Sequence, residues 1–183
     1  MLPLPVSCAS RKSSFRRRVA TVLLLAAAGV SVSAQALMIA DFRVRGPNGA
    51  NDEFVTIYNE SSSPHIVTAA SGTGYALAAS DGVVRFSIPN GTVIPAHGFY
   101  LGVNSVGYSL ASYPAGNGST ATGDATYTTD IPDNAGIALF NNNTGGGSFI
   151  LANRLDAVGS TSEANTLYKE GTGYPALTPF SID

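Results

Sequence analysis

Two histidines, His65 and His97, and twelve carboxylates are the groups from which this 183-residue chain would have to build general acid–base or nucleophilic chemistry. His97 sits in Pro95-Ala96-His97-Gly98, a composition that reads as a polar turn. No serine stands in a G-x-S-x-G elbow that would give an imidazole a nucleophile to activate, and the run Gly102-Val103-Asn104-Ser105-Val106-Gly107 has the wrong spacing for one. A hydrolase using either histidine with a neighbouring acid therefore ranks third, behind two binding functions.

The acids Asp41, Asp52 and Glu53 form the most suggestive constellation, because a strand and a loop could gather hard oxygen ligands for calcium. Their spacing lacks the D-x-[DN]-x-[DN]-G order of an EF-hand loop, and an Asp-Glu pair before a strand is commonly a solvated turn. Asp124, Asp130 and Asp133 pose the same question, and Asp133-Asn134 reads as the start of a turn. Gly145-Gly146-Gly147 and Gly171-Thr172-Gly173 lack the following helix and lysine of a phosphate loop. Tyr108, Tyr113, Tyr127 and Tyr174 are candidates to stack on sugar rings, or to cover core edges. Glycosylation sequons begin at Asn59, Asn90, Asn117 and Asn142, in a chain rich enough in Asn, Ser and Thr for chance to supply them. The reading assigns no catalytic, cofactor-binding or metal-ligating residue.

The elements that would position these groups are short β-branched and aromatic runs between clusters of Gly, Pro, Asn, Asp and Ser, the pattern of an all-β sandwich or barrel. Strands are expected at 38–45, 53–58, 65–70, 75–79, 83–88, 92–94, 99–104, 136–140, 149–151, 155–158 and 166–170. Asp81-Gly82 reads as a hairpin turn. Residues 105–126 read as a long loop with one helical turn, a length that marks either function or mobility. In the first strand Met38, Ala40, Phe42 and Val44 alternate against Ile39, Asp41, Arg43 and Arg45. Phe99, Leu101 and Val103 share one face at period two and are expected in the core, with Phe42, Phe54, Phe86 and Leu139.

The N-terminus has the layout of an export signal. Arg11, Lys12 and Arg16-Arg17-Arg18 precede the apolar run 19–32, and Ala34-Gln35-Ala36 supplies a small-residue cleavage site, so residues 1–36 are expected to be removed before Leu37. The apolar run is shorter than the roughly 20 residues that span a bilayer. Arg17-Arg18 admits a twin-arginine reading, but the residues after the pair lack its usual pattern. The signal would carry away five of ten basic residues and Cys8, the single cysteine, leaving five cations against twelve acids, a net charge of −7. Thiol chemistry and cysteine-held zinc fall away with it. Nucleic acid is not expected as a partner, because such binding needs clustered Lys and Arg. The remaining 147 residues suit one domain held by packing alone.

The stretch LMIADFRVRGPNGANDEFVTIYN resembles the opening of a lamin-tail domain, with Ile39-Ala40-Asp41-Phe42, a glycine-rich loop, and Asp52-Glu53-Phe54-Val55 running into Tyr58-Asn59. SDGVVRFSIPNGTVIPAHGFYLGVN, DNAGIALFN and the LDAVG run are similar to that family's middle and late strands. Asp41 replaces the commoner glutamate, and Thr56 stands where a second glutamate is frequent. The resemblance, to the type found in exported bacterial proteins, implies an immunoglobulin-like β-sandwich over 37–183. The family's acidic, asparagine-rich closing segment is not matched before Asp183, so the expectation is either a fragment truncated at the C-terminus or a sandwich lacking its closing strand, the latter with an open edge prone to self-association. The function expected is an exported, non-enzymatic interaction or surface-attachment module, secreted, periplasmic or at the cell surface, whose partner is a protein or cell-surface polymer. The alternative is a carbohydrate-binding or accessory module of a secreted hydrolase. No transmembrane segment is expected after signal cleavage.

Overall fold

A computed structural model describes residues 37–113 and 121–176. The expected signal segment, residues 1–36, lies outside them. The fold is all-β: among the described residues the regular structure is ten strands with short 3-10 turns between them.

Two four-stranded sheets face each other. The front sheet has the order β1-β2-β7-β8, from β1 (Leu37–Arg43), β2 (Phe54–Asn59), β7 (Phe99–Asn104) and β8 (Ala125–Tyr127). The back sheet has the order β10-β9-β4-β5, from β4 (Gly74–Ala79), β5 (Val84–Pro89), β9 (Ile137–Phe140) and β10 (Arg154–Val158). A two-stranded ribbon of β3 (His65–Ile66) and β6 (Val93–Ile94) caps one end. All pairs are antiparallel except β7 with β8, which needs the long 105–124 connection to bring the chain back in the same direction. Gly82 takes φ +80° in the β4–β5 hairpin, as its turn requires.

The interlayer core packs Val55 and Ile57 of β2 and Tyr100 of β7 against Leu77, Phe86, Ile88, Ile137 and Leu139 of the back sheet. The back sheet is also buried on its outer side. There Ala76, Ala78, Ala138 and Phe140 are covered by Phe149 and Tyr168, with the Phe140 and Phe149 rings 4.4 Å apart. Burial on both faces explains why β4 and β9 read as unbroken apolar runs.

Several expected elements are corrected. Residues 166–170 form no strand: Thr166–Tyr168 is a 3-10 turn whose Tyr168 seals the back sheet. Residues 149–151 likewise lie among 3-10 turns, and β8 forms inside the expected loop. A β-bulge between Ile39 and Asp41 interrupts the first strand, so Leu37 and Ile39 face inward before it and Phe42 and Val44 after it, while Met38 and Ala40 point out.

The largest correction concerns β7. Its inward residues are Tyr100, Gly102 and Asn104, and Phe99 is 60% exposed. Gly102 leaves room for Phe86, whose ring stacks between Tyr100 and Tyr127. A phenylalanine facing inward from β7 would have to occupy that same space. Val103 is buried, but on the outer side, where Gly123 closes on it. Phe54 also lies on the outer face of its strand, between the buried Val55 and Glu53.

Candidate functional site: the outer face of the front sheet

Period-two alternation that buries Val55, Ile57 and Asn59 turns Phe54, Thr56 and Tyr58 outward. Cross-strand register then aligns three outward rows: Met38–Tyr58–Phe99, Asp41–Thr56–Leu101 and Arg43–Phe54–Val103. The third row is roofed by the 105–113 segment, with Tyr108 edge-on to Phe54 at 6.2 Å and the Arg43 guanidinium 5.2 Å from the centre of the Phe54 ring. The first row is open. Tyr58 and Phe99 have ring centroids 4.9 Å apart, and the His97 ring lies 6.4 Å from Tyr58 at 29°.

His97 is held there by an unusual backbone. Gly98 N–H donates to the Pro95 carbonyl at 2.9 Å, closing a tight turn whose third residue, His97, has φ +53°. That region is ordinarily taken by glycine or asparagine. Its Nδ1 and the Tyr58 hydroxyl are 3.2 Å apart. A non-glycine residue held at positive φ beside exposed aromatics is the kind of local strain that collects at working sites.

The acids expected together at 41, 52 and 53 are separated. Asp41 stays on the exposed face. Asp52 is fully buried and ion-paired with Arg43, and it accepts from the Asn48 N–H at 3.1 Å and the Ser109 N–H at 2.9 Å. Burial pushes its pKa up, but these N–H groups, the Ser109 hydroxyl and Arg43 outweigh it and hold the carboxyl below its usual value. This clamp ties the 46–52 loop to the roof over Phe54.

Glu53 points the other way, into the interlayer core, with no exposed surface. Its Oε2 accepts from Asn104 Nδ2 at 2.8 Å and its Oε1 from the Ile131 N–H at 2.6 Å. Burial pushes its pKa up to about 7, with Asp130 adding to the rise and the two hydrogen bonds and Arg85 opposing it. The Tyr127 hydroxyl is buried near this carboxyl and makes no hydrogen bond of normal geometry; burial and the Glu53 charge push its pKa up as well. Arg85 is buried among Asp81, the Val83 carbonyl and the Asp130 carbonyl. Asp130 itself is raised by burial and by Asp133. Glu53 ties β7 to the connection between β8 and β9 through Asn104 and Ile131, and Arg85 ties β5 to the same connection through the Asp130 carbonyl.

The remaining candidates have structural partners. His65 Nε2 meets the Tyr75 hydroxyl at 3.2 Å, and burial lowers its pKa. The two histidines lie on different elements, each with its own tyrosine. Asp124 accepts from the Leu101 N–H at 2.8 Å, and Asp133 pairs with Arg45 at 3.0 Å. Tyr174 packs on Phe42, Tyr108 on Phe54, and Tyr127 under Phe86, while Tyr113 is exposed. Asn59 and Asn142 are buried and hydrogen-bonded, which closes two of the four sequons in the folded chain; Asn117 lies outside the described residues. Among the described residues no group of three His, Cys, Asp or Glu side chains is placed to hold a metal ion. Nor is any helix among them long and apolar enough to cross a membrane.

Sequence reasoning missed Tyr58 and Phe99 as a surface pair. The available signal was Gly102: a glycine opposite a row of large residues marks the face against which another layer closes. No family model and no curated protein matches this chain.

Proposed function

We propose that this chain is an exported, non-catalytic binding module of lamin-tail-like type, acting outside the cytoplasm as a secreted, periplasmic or surface-attached protein. Its ligand is taken on the outer face of the front sheet, along Met38, Tyr58, Phe99 and His97. The observation that carries this reading is the asymmetry of the two sheets: the outer side of the back sheet is sealed by Phe149 and Tyr168, whereas the front sheet presents Phe99 at 60% exposure beside Tyr58. Exposed aromatics on a rigid sheet are the residues that dominate binding energy at interfaces. The sandwich holds them at fixed separation, so little ordering cost is incurred on binding.

The alternative, a carbohydrate-binding module, is favoured by one feature. The Tyr58 and His97 ring planes lie within 29° of parallel with the imidazole beside the Tyr58 hydroxyl, so the pair offers both ring faces for stacking and a hydrogen-bonding group for a sugar.

Binding of the labelled protein to cells and to isolated envelope polymers tests the reading. Phe99→Ala and Tyr58→Ala together are expected to abolish that binding while leaving the melting transition cooperative. Undiminished binding by the double variant would sink it.

A further inference from the structure

We propose that the Tyr58–Phe99 face docks a basic protein segment, seating a lysine or arginine side chain over the aromatic rings within a frame of Asp41, Glu60 and Asp124. This deepens the binding reading above and rests on it.

The argument is one of charge placement. The basic residues among the described positions are all engaged. Arg45, Arg85 and Arg154 pair with Asp133, Asp81 and Glu170 at 3.0, 2.8 and 2.6 Å, Arg43 pairs with Asp52, and the Lys169 ammonium donates to the Glu163 carbonyl at 2.5 Å. Among the described residues three exposed carboxylates have no cation: Asp41, Glu60 and Asp124. Asp41 and Glu60 have neither ion pair nor hydrogen bond among the described residues, and Asp124 accepts only the Leu101 N–H.

These three stand around the open aromatic row. Asp41 is in the adjacent row of the same face, across Thr56 from Leu101. Successive same-face rows lie about 7 Å apart. Asp124 is fixed to Leu101, two residues along β7 from Phe99, and the exposed Glu60 is the first residue beyond β2, two past Tyr58. The face is therefore aromatic at its centre and negative at its margin. An ammonium or guanidinium within about 6 Å of a ring face is attracted by the ring quadrupole, and the carboxylates add long-range attraction. The same surplus of negative charge opposes an anionic polymer or a second copy of this chain at this face.

A fluorescein-labelled peptide of alternating arginine and glycine serves as the probe, with a serine–glycine peptide as its neutral counterpart. Fluorescence anisotropy is expected to show the arginine peptide binding at low ionic strength and the neutral peptide not binding. Phe99→Ala and Phe99→Leu are each expected to weaken binding roughly fivefold, because the leucine keeps apolar area and loses the ring. The triple variant Asp41→Asn, Glu60→Gln, Asp124→Asn is expected to lose most of the affinity and its salt dependence. Since these side chains are exposed, the melting temperature checks that each variant folds.

Arginine-peptide affinity unchanged in both Phe99 variants, or retained by the triple variant, overturns the proposal. So does a soluble neutral β-glucan binding in a Phe99-dependent way where the peptide does not, which would award the face to sugar. If the peptide fails while Phe99→Ala still removes envelope binding, only the charge assignment falls. If Phe99→Ala with Tyr58→Ala leaves envelope binding intact, the underlying reading falls.

Discussion

Gly102 and Phe86 occupy one another's space across the two sheets: a Cβ on residue 102 would stand 2.2 Å from Cε1 of the Phe86 ring. This contact fixes which face of β7 looks inward. Gly102→Ala is expected to force Phe86 off its stack between Tyr100 and Tyr127, and to destabilise the fold by about 1–3 kcal/mol, the usual cost of overpacking. Urea denaturation checks it, and an unchanged midpoint would mean that Phe86 has somewhere else to go.

Glu53 gives the sandwich an inverse response to pH. Its folded pKa is about 7 against an unfolded value of 4.5, so the native state binds more protons across that interval. The stability it contributes is complete below the unfolded value and is lost as pH rises through about 7, on the order of 3 kcal/mol in all. Asp130, also raised, acts in the same direction. Denaturation midpoints should fall from about pH 4.5 to about pH 7. Glu53→Gln should flatten that slope, although it lowers stability overall, because a donor NH2 replaces one of the two oxygens that accept from Asn104 and Ile131.

Asp52 should behave in the opposite sense. Its folded pKa is depressed, so its contribution is present at neutral pH and lost as pH falls below the ordinary aspartate range. Asp52→Ala leaves Arg43, the Asn48 N–H and the Ser109 N–H without their acceptor. The expected cost is roughly 3 kcal/mol, the scale for breaking a buried pair. Hydrogen exchange should rise in residues 46–52 and 105–112 while β4 and β9 stay protected.

Much of this fold was legible in the residue pattern, and the failures share a cause. Turn chemistry at Asp81-Gly82, Pro89-Asn90-Gly91 and Pro95-Ala96-His97-Gly98 placed the hairpin and corners, because those backbone conformations are set locally. The inward face of β7 was misread because Phe99, Leu101 and Val103 outrank Tyr100, Gly102 and Asn104 in hydrophobicity. The choice was made by Phe86, a residue of the other sheet that needs the glycine. The β1 alternation failed for a related reason: a bulge at Ala40 changes which residues face inward without any glycine or proline to announce it. The site followed the fold. With Phe99 expected in the core, the exposed row with Tyr58 is hidden, and Asp52 and Glu53 look like one group although adjacent strand-entry residues point to opposite sides.

Tyr127→Phe tests the buried polar cluster from its other member. The Tyr127 hydroxyl is buried beside the Glu53 carboxyl without a hydrogen bond of normal geometry, and removing a poorly paired buried polar group recovers its desolvation cost. The ring's stack on Phe86 at 6.0 Å is retained. The variant is expected to be as stable as the parent or about 1 kcal/mol more so. A loss of stability would show that the hydroxyl has a partner, with an ordered water between it and Glu53 the first to look for.

His97→Gly separates strain from function. Glycine takes φ +53° without penalty, whereas a side chain there costs about 1 kcal/mol. The substitution removes the contact with the Tyr58 hydroxyl, an exposed interaction of small net worth. Stability should therefore hold or rise slightly in thermal melts. Ligand binding at the Tyr58–Phe99 face should fall, because the ring that keeps Tyr58 in place is gone while the backbone turn is intact. A variant more stable than the parent and equally able to bind would mean that the strain at His97 has no part in recognition, and the working face would then be Tyr58 and Phe99 alone.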